Sequence, residues 1–98
     1  MYTIESGRLR QFAGEWRRLV VPLRRSFGFE VVGAWQAPAD DMFVWILAYG
    51  GPEGFAAADR VYYDSPQRAA LNPSPARLIV RAETRLMRAV GEHDAESA

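Results

Sequence analysis

The sequence contains no cysteine and a single histidine. Without cysteine, disulfides and thiolate metal sites are excluded, and a reducing compartment is favoured, so we expect a cytoplasmic protein. The one histidine, His93, lies between Glu92 and Asp94 in a polar segment. It can form neither a multi-histidine metal site nor a histidine-based triad within one subunit. We therefore expect no metal, no haem and no other cofactor.

The chain also lacks a charge excess and a long apolar run. Its twelve arginines balance twelve acidic residues, and it has no lysine. Nucleic-acid-binding proteins usually carry a marked basic excess, so the composition argues against a nucleic-acid partner. No apolar run approaches the roughly 18 residues of a membrane span. Apolar residues nevertheless make up 49% of the chain. Because a chain of this size buries only about 65% of its extended surface, this content hints at association.

The first half of the chain predicts a strand, a helix and a hairpin. Residues 1–5 alternate as a short strand, and apolar residues then recur at spacings of three and four from residue 9 to 23. This spacing predicts an amphipathic helix that ends at Phe27-Gly28, with its last turn loosened by Pro22. The ranges 29–36 and 42–49 are rich in β-formers and are predicted strands joined by a polar turn.

The second half predicts a helix, a short helix and a last strand. Phe55, Ala58 and Tyr62 repeat at helical spacing, and Ser65-Pro66 is typical of a helix start. Residues 77–90 alternate, with Leu78, Val80, Ala82, Thr84 and Leu86 on one face and Arg77, Arg81, Glu83 and Arg85 on the other. We expect one α+β domain over residues 1–90, of ferredoxin-like βαββαβ order with a four-stranded antiparallel sheet, and a polar tail at 91–98.

The strand at 42–49 is apolar on both faces, which predicts a homodimer. Two helices cover only one face of a four-stranded sheet, and a strand buried on one side alternates with polar residues. This strand carries no charged residue in its eight positions. A second copy of the chain is the economical cover for the other face.

Four segments of the chain resemble the NIPSNAP family. They are the run 28–35, the strand 43–49, the turn Tyr62-Tyr63-Asp64-Ser65-Pro66 and the closing Glu83-Thr84-Arg85-Leu86-Met87. The resemblance spans roughly residues 2–88 and implies a dimeric α+β barrel, in which two ferredoxin-like sheets face each other. It also implies a longer first strand than the one that begins here at Met1-Tyr2-Thr3-Ile4. These segments are structural landmarks and carry no catalytic signature.

Aromatic residues and one arginine are the candidate ligand-binding residues. Trp35, Trp45, Tyr49 and Tyr63 either line a pocket for a planar ligand or belong to the core and interface. Arg81 shares a strand face with Glu83 and Arg85, and this array is either an interface salt-bridge network or a polar patch that orients a ligand.

Two groups of carboxylates are weaker candidates. Asp40 and Asp41 are either paired carboxylates for metal binding or acid–base chemistry, or residues of a predicted turn, where aspartate is favoured for local hydrogen bonding. Asp59 borders the apolar stripe of the second predicted helix. It is either a carboxylate at the edge of a cleft or a solvated or salt-bridged surface residue.

Three functions remain open from the sequence. The first is a homodimeric barrel protein that binds a small, largely apolar or aromatic molecule. The second is a cofactor-independent monooxygenase of the dimeric barrel type, in which Tyr49 and Tyr63 would handle protons. The third is a structural or partner-binding module with a filled barrel. A well-formed apolar cavity with a few inward polar groups favours the first two.

Overall fold

The computed structural model describes residues 1–90, which contain both helices and strands. The strands form one four-stranded antiparallel sheet in the order β2-β3-β1-β4, which confirms the α+β class. The expected tail at 91–98 lies outside the described residues. The elements are β1 (Tyr2–Ile4), α1 (Leu9–Glu15), a π-helical turn (Trp16–Val20), α2 (Val21–Ser26), β2 (Phe29–Ala37), β3 (Met42–Tyr49), α3 (Phe55–Tyr63), α4 (Pro66–Ala69) and β4 (Ile79–Ala82), with 3-10 turns at Pro38–Asp40 and Pro75–Leu78.

The predicted first helix is interrupted in its middle. The π-helical turn Trp16–Val20 separates α1 from α2, and Pro22 occupies the first turn of α2. Proline has no N–H to donate and its ring clashes with the carbonyl four residues earlier, so the helix must widen ahead of it. We predicted that Pro22 loosens the last turn of the helix. In the structure the loosened turn, Trp16–Val20, lies before Pro22. Gly28, with φ 89°, then ends the helix in a conformation that favours glycine.

The hairpin of β2 and β3 matches the prediction closely. Its register runs from Phe29 opposite Tyr49 to Ala37 opposite Met42, with an irregularity between Val31 and Gly33. The turn residue Asp41 has φ 51°, a left-handed conformation that aspartate tolerates better than most residues. Asp41 thus serves as a turn residue, which agrees with the turn interpretation of Asp40 and Asp41.

The helices pack on the odd-numbered side chains of β3. Phe43 is 2% exposed and meets the rings of Phe12 and Trp16 edge-on, at centroid distances of 5.1 and 5.0 Å. Trp45 packs against the same cluster, and Leu47 against a second cluster made by Phe29, Ala58 and Tyr62. Such edge-to-face pairs stabilise a core beyond the area that they bury.

The even-numbered side chains of β3 point to the opposite face of the sheet. Side chains alternate along a strand, so Val44 and Ile46 lie on the face away from the helices, where both are half-buried. Trp35 is the cross-strand partner of Val44 and is 55% exposed on that face. Its ring lies over Gly33, where an added Cβ would come within 2.8 Å of it. We call this apolar surface the open face.

The last strand is shorter than predicted, and one of its faces was assigned wrongly. Strand pairing covers only Ile79–Ala82, opposite the three residues of β1, and the register with β1 shifts between Thr3 and Ile4. Val80 is the extra residue of this bulge and is 70% exposed, although alternation placed it on the apolar face of the strand with Leu78, which is buried. Leu86, placed on the same face by alternation, is 77% exposed.

Candidate functional site

A cavity opens where the sheet is incomplete between β3 and the segment that follows β4. The strand β1 pairs with β3 only at Tyr2 opposite Phe43 and Thr3 opposite Met42, whereas β3 continues to Tyr49. The cavity has a volume of about 290 Å³ and lies beside the unpaired part of β3. We call it the edge cavity. Its walls are Met1, Tyr2, Arg24, Val44, Trp45, Ile46, Leu47, Phe55, Asp59, Tyr63, Glu83, Thr84, Arg85 and Met87.

Arg24 lines the edge cavity and is almost completely buried. It is 3% exposed, and its Nη1 donates to Oδ1 of Asp59 at 2.7 Å. Four aromatic rings surround the guanidinium, with centroid distances of 3.7 Å to Tyr62, 4.7 Å to Phe29, 5.1 Å to Tyr63 and 5.9 Å to Trp45. Cation–π attraction and the carboxylate together replace the water that this cation loses on folding.

The guanidinium retains one unused donor. The Nε of Arg24 is buried and has no acceptor among the described residues. The chain therefore holds a cation whose pairing is incomplete, and it depends strongly on Asp59 because an unpaired buried charge costs several kcal/mol, of order 3–5. The side chain of Asp59 is 33% exposed and lines the cavity. The carboxylate is therefore the more accessible partner of this ion pair.

A pair of polar ring groups lies at the side of the edge cavity. Nε1 of Trp45 donates to the hydroxyl of Tyr2 at 3.1 Å. Burial raises the pKa of Tyr2, with the Trp45 hydrogen bond acting in the opposite direction, so the phenol stays protonated at neutral pH. The hydroxyl of Tyr2 thus accepts from Trp45 and keeps its own proton, which it can donate to a further acceptor. A smaller cavity of about 60 Å³ also has Tyr2, Trp45 and Arg24 in its walls, so these side chains separate two spaces.

The rim of the edge cavity is charged. The amino group of Met1 donates to the backbone oxygen of Glu83 at 2.8 Å, and partial burial lowers the pKa of this amine. The side chain of Glu83 also pairs with Arg81 at 2.8 Å, and Arg85 lines the cavity nearby. An apolar and aromatic interior with a polar rim is the usual construction of a small-molecule site.

Two of the five predicted ligand-binding residues line this cavity. Trp45 and Tyr63 contribute to its walls. Trp35 lies on the open face of the sheet, and Tyr49 packs on Phe29 while its hydroxyl donates to Glu53 at 2.7 Å. The structure therefore divides the predicted aromatic set between the cavity, the open face and the last residue of β3.

Arg81 lies beside the cavity and not within its walls. Its cross-strand partner Thr3 alternates with the buried Ile4, so Arg81 is on the open side of the sheet. Its side chain is 72% exposed and pairs with Glu83, as the sequence suggested. An exposed pair of this kind contributes little to stability in a single chain.

Sequence reasoning missed Arg24 and Tyr2. The signal for Arg24 was present, since Phe12, Trp16, Val20 and Arg24 follow one another at intervals of four and form one helical stripe. A cation at the end of an apolar stripe predicts a buried partner, and Asp59 is that partner, at the cleft edge expected for it. Tyr2 had no comparable signal, because its role depends on Trp45, 43 residues away.

Comparisons with known proteins identify no relative. A scan against protein-family models and searches of curated proteins and of solved structures find no match. Within residues 1–90, no helix has the length and apolar character to cross a membrane. The same residues contain no cluster of three or more side chains able to hold a metal ion; His93 lies outside them. The described site offers an aromatic surface and a few hydrogen-bonding groups.

Proposed function

We propose that this protein is a homodimeric binding protein of the NIPSNAP type, with a ferredoxin-like chain and a dimeric α+β barrel, that holds a small, largely apolar or aromatic molecule. The edge cavity is the observation that carries the proposal. Its volume of about 290 Å³ is close to the lower end of the range for ligand sites. The buried Arg24–Asp59 pair and the Tyr2 hydroxyl supply a few fixed polar groups inside aromatic walls.

The open face supports the dimeric part of the proposal. Val44, Ile46 and Trp35 form an apolar surface in the middle of the sheet, and Trp35 is more than half exposed in a single chain. Large contiguous apolar surfaces are rare on monomers. The antiparallel strand order β2-β3-β1-β4 is consistent with the ferredoxin-like plan that dimeric barrels use.

Ligand retention tests the proposal. Native mass spectrometry of protein purified from its source should show a bound molecule on the dimer. Tyr63→Ala removes part of the cavity wall and a ring beside Arg24, so it should weaken retention about tenfold, the value of one aromatic contact. Val61→Ala is the matched control, since Val61 lies two residues away on α3 and is 61% exposed.

The result also separates the proposal from a structural module. A protein that carries no molecule from its source, and whose melting temperature is unchanged by a panel of aromatic compounds, would favour the filled, ligand-free alternative. Equal retention by the Tyr63 and Val61 variants would place the molecule outside the edge cavity.

A further inference from the structure

The smaller cavity of about 60 Å³ lies on the helix side of the sheet, and we call it the inner cavity. Part of its lining comes from α4 and the segment 71–76, and part from one stripe of the first helix, with a side chain at every fourth residue: Phe12, Trp16, Val20 and Arg24. A step of four residues overshoots one turn of an α-helix but falls short of one π-helical turn, so the π-helical turn keeps this stripe straight. The volume has room for about five waters, or for a molecule of about five non-hydrogen atoms.

The lining of the inner cavity carries two cations and no carboxylate. Arg24 is 3% exposed, and Arg68 on α4 is half-buried. Their guanidinium carbons lie 5.1 and 5.0 Å from the ring centroid of the same residue, Tyr63. Asp59, the partner of Arg24, lines the edge cavity instead, and within residues 1–90 Arg68 forms no ion pair. The inner cavity therefore has an excess of positive charge.

Side-chain donors in the same lining also outnumber the acceptors. Nε of Arg24 and Nε1 of Trp16 are buried without an acceptor among the described residues. Burial raises the pKa of Tyr2, so its hydroxyl keeps a proton to donate. Burial likewise raises the pKa of Tyr62, and the positive charges of Arg24 and Arg68 act against it, so both cations are felt within this lining. A matching ligand brings acceptors and negative charge.

We propose that the inner cavity is a second ligand site, which binds a short-chain monocarboxylate of about two or three carbons, such as acetate or propionate. The carboxylate pairs with Arg68, the more accessible of the two cations, because guanidinium and carboxylate form strong charge-assisted hydrogen bonds. The alkyl group packs on the apolar lining formed by Val20, Leu71 and Ile79. Inorganic phosphate matches the charge but leaves this apolar surface uncovered.

This inference goes beyond the proposed function, because it concerns a different cavity and a different class of ligand. Arg68 lines the inner cavity and not the edge cavity. A change at Arg68 therefore separates the two sites, whereas Arg24 and Tyr63 contribute to both.

A matched pair of small probes tests the inference. Propionate and propionamide have the same shape, and only propionate is charged. In an NMR titration at pH 7 and constant ionic strength, propionate should bind about tenfold more tightly, the value of a charge-assisted hydrogen bond. The indole N–H signal of Trp16 should shift with propionate, whereas that of Trp35, on the open face, should not. Equal binding of the two probes, or an unmoved Trp16 signal, would overturn the proposal.

Variants of Arg68 test the partner of the carboxylate. Arg68→Met keeps much of the side-chain length but removes the charge, so propionate should bind about tenfold more weakly while propionamide is unaffected. Arg68→Lys should restore part of the difference. Arg60→Met is the matched control, since Arg60 is an exposed arginine on α3 outside both cavities.

Two further comparisons decide the class of ligand and the independence of the site. Phosphate that binds as tightly as propionate would overturn the monocarboxylate assignment. The Arg68→Met variant should still retain the molecule of the edge cavity, and its loss together with propionate binding would contradict two separate sites. Equal propionate binding by the Arg68→Met and Arg60→Met variants would contradict the role of Arg68.

Discussion

Removal of the Asp59 carboxylate is the sharpest test of how the site is held together. Asp59→Ala leaves the guanidinium of Arg24, 3% exposed, without the acceptor that now lies 2.7 Å from Nη1. Loss of one partner from a buried ion pair typically costs about 3–5 kcal/mol, because the other charge stays buried. The Asp59 side chain is one third exposed and the four rings remain around Arg24, so water and cation–π attraction recover part of this loss.

The lower end of that range is therefore expected, about 3 kcal/mol. For a domain of this size, 1 kcal/mol corresponds to a shift of about 4–8 °C in melting temperature, so Asp59→Ala should melt roughly 12 °C or more below the natural protein. Replacement of both partners, Arg24→Met with Asp59→Leu, removes the charges together. It should recover most of the stability, because apolar residues of similar volume often replace a buried pair at little cost.

Urea unfolding at pH 7, followed by circular dichroism, measures these differences through the transition midpoint. Asp64→Ala is the control, since it removes an exposed carboxylate at the end of the same helix. A loss of less than about 0.5 kcal/mol for Asp59→Ala would refute the claim that Arg24 depends on this carboxylate. The claim would also be refuted if the double variant lost as much free energy of unfolding as the two single variants together. Changes at two residues that interact are not additive.

Two other predictions follow from the pairing and exposure of single residues. Arg77 donates two hydrogen bonds to the buried Glu15, at 2.7 and 2.9 Å, and thereby lowers the pKa of that carboxyl. A carboxyl whose folded pKa lies below its unfolded value adds stability above the unfolded pKa and loses it as the pH falls through the folded pKa. Glu15→Gln should therefore lower the melting temperature at pH 7 and converge with the natural protein in acid; a constant difference at all pH values would contradict this. Trp35→Asp puts a charge on the open face and should convert a dimer to a folded monomer in light scattering, whereas Val61→Asp, on the exposed side of α3, should not. A natural protein that is already monomeric at micromolar concentration would contradict the proposed dimer.

Short-range patterns were sufficient for most of the secondary structure. The hairpin of β2 and β3 follows from two runs of β-formers and a polar turn between them, all within 21 residues. The helix start at Ser65 follows from a local cap, since its Oγ accepts from the N–H of Arg68 at 3.1 Å. In each case the interactions that stabilise the element join residues close in sequence, so the pattern alone contains them.

Tertiary structure decided the length of the last strand and the composition of the site. Alternation extended β4 to residue 90, but pairing with the short β1 and the bulge at Val80 confine it to four residues. Arg24 and Asp59 are 35 residues apart, and neither has a sequence neighbour that reveals the other. A buried charge is tolerated only where folding brings an opposite charge and aromatic faces to it, and such a meeting depends on the packing of α2 against α3 and the sheet. The amino-acid sequence therefore determined which segments form strands and helices, whereas only the packed chain determined which of their side chains share a cavity.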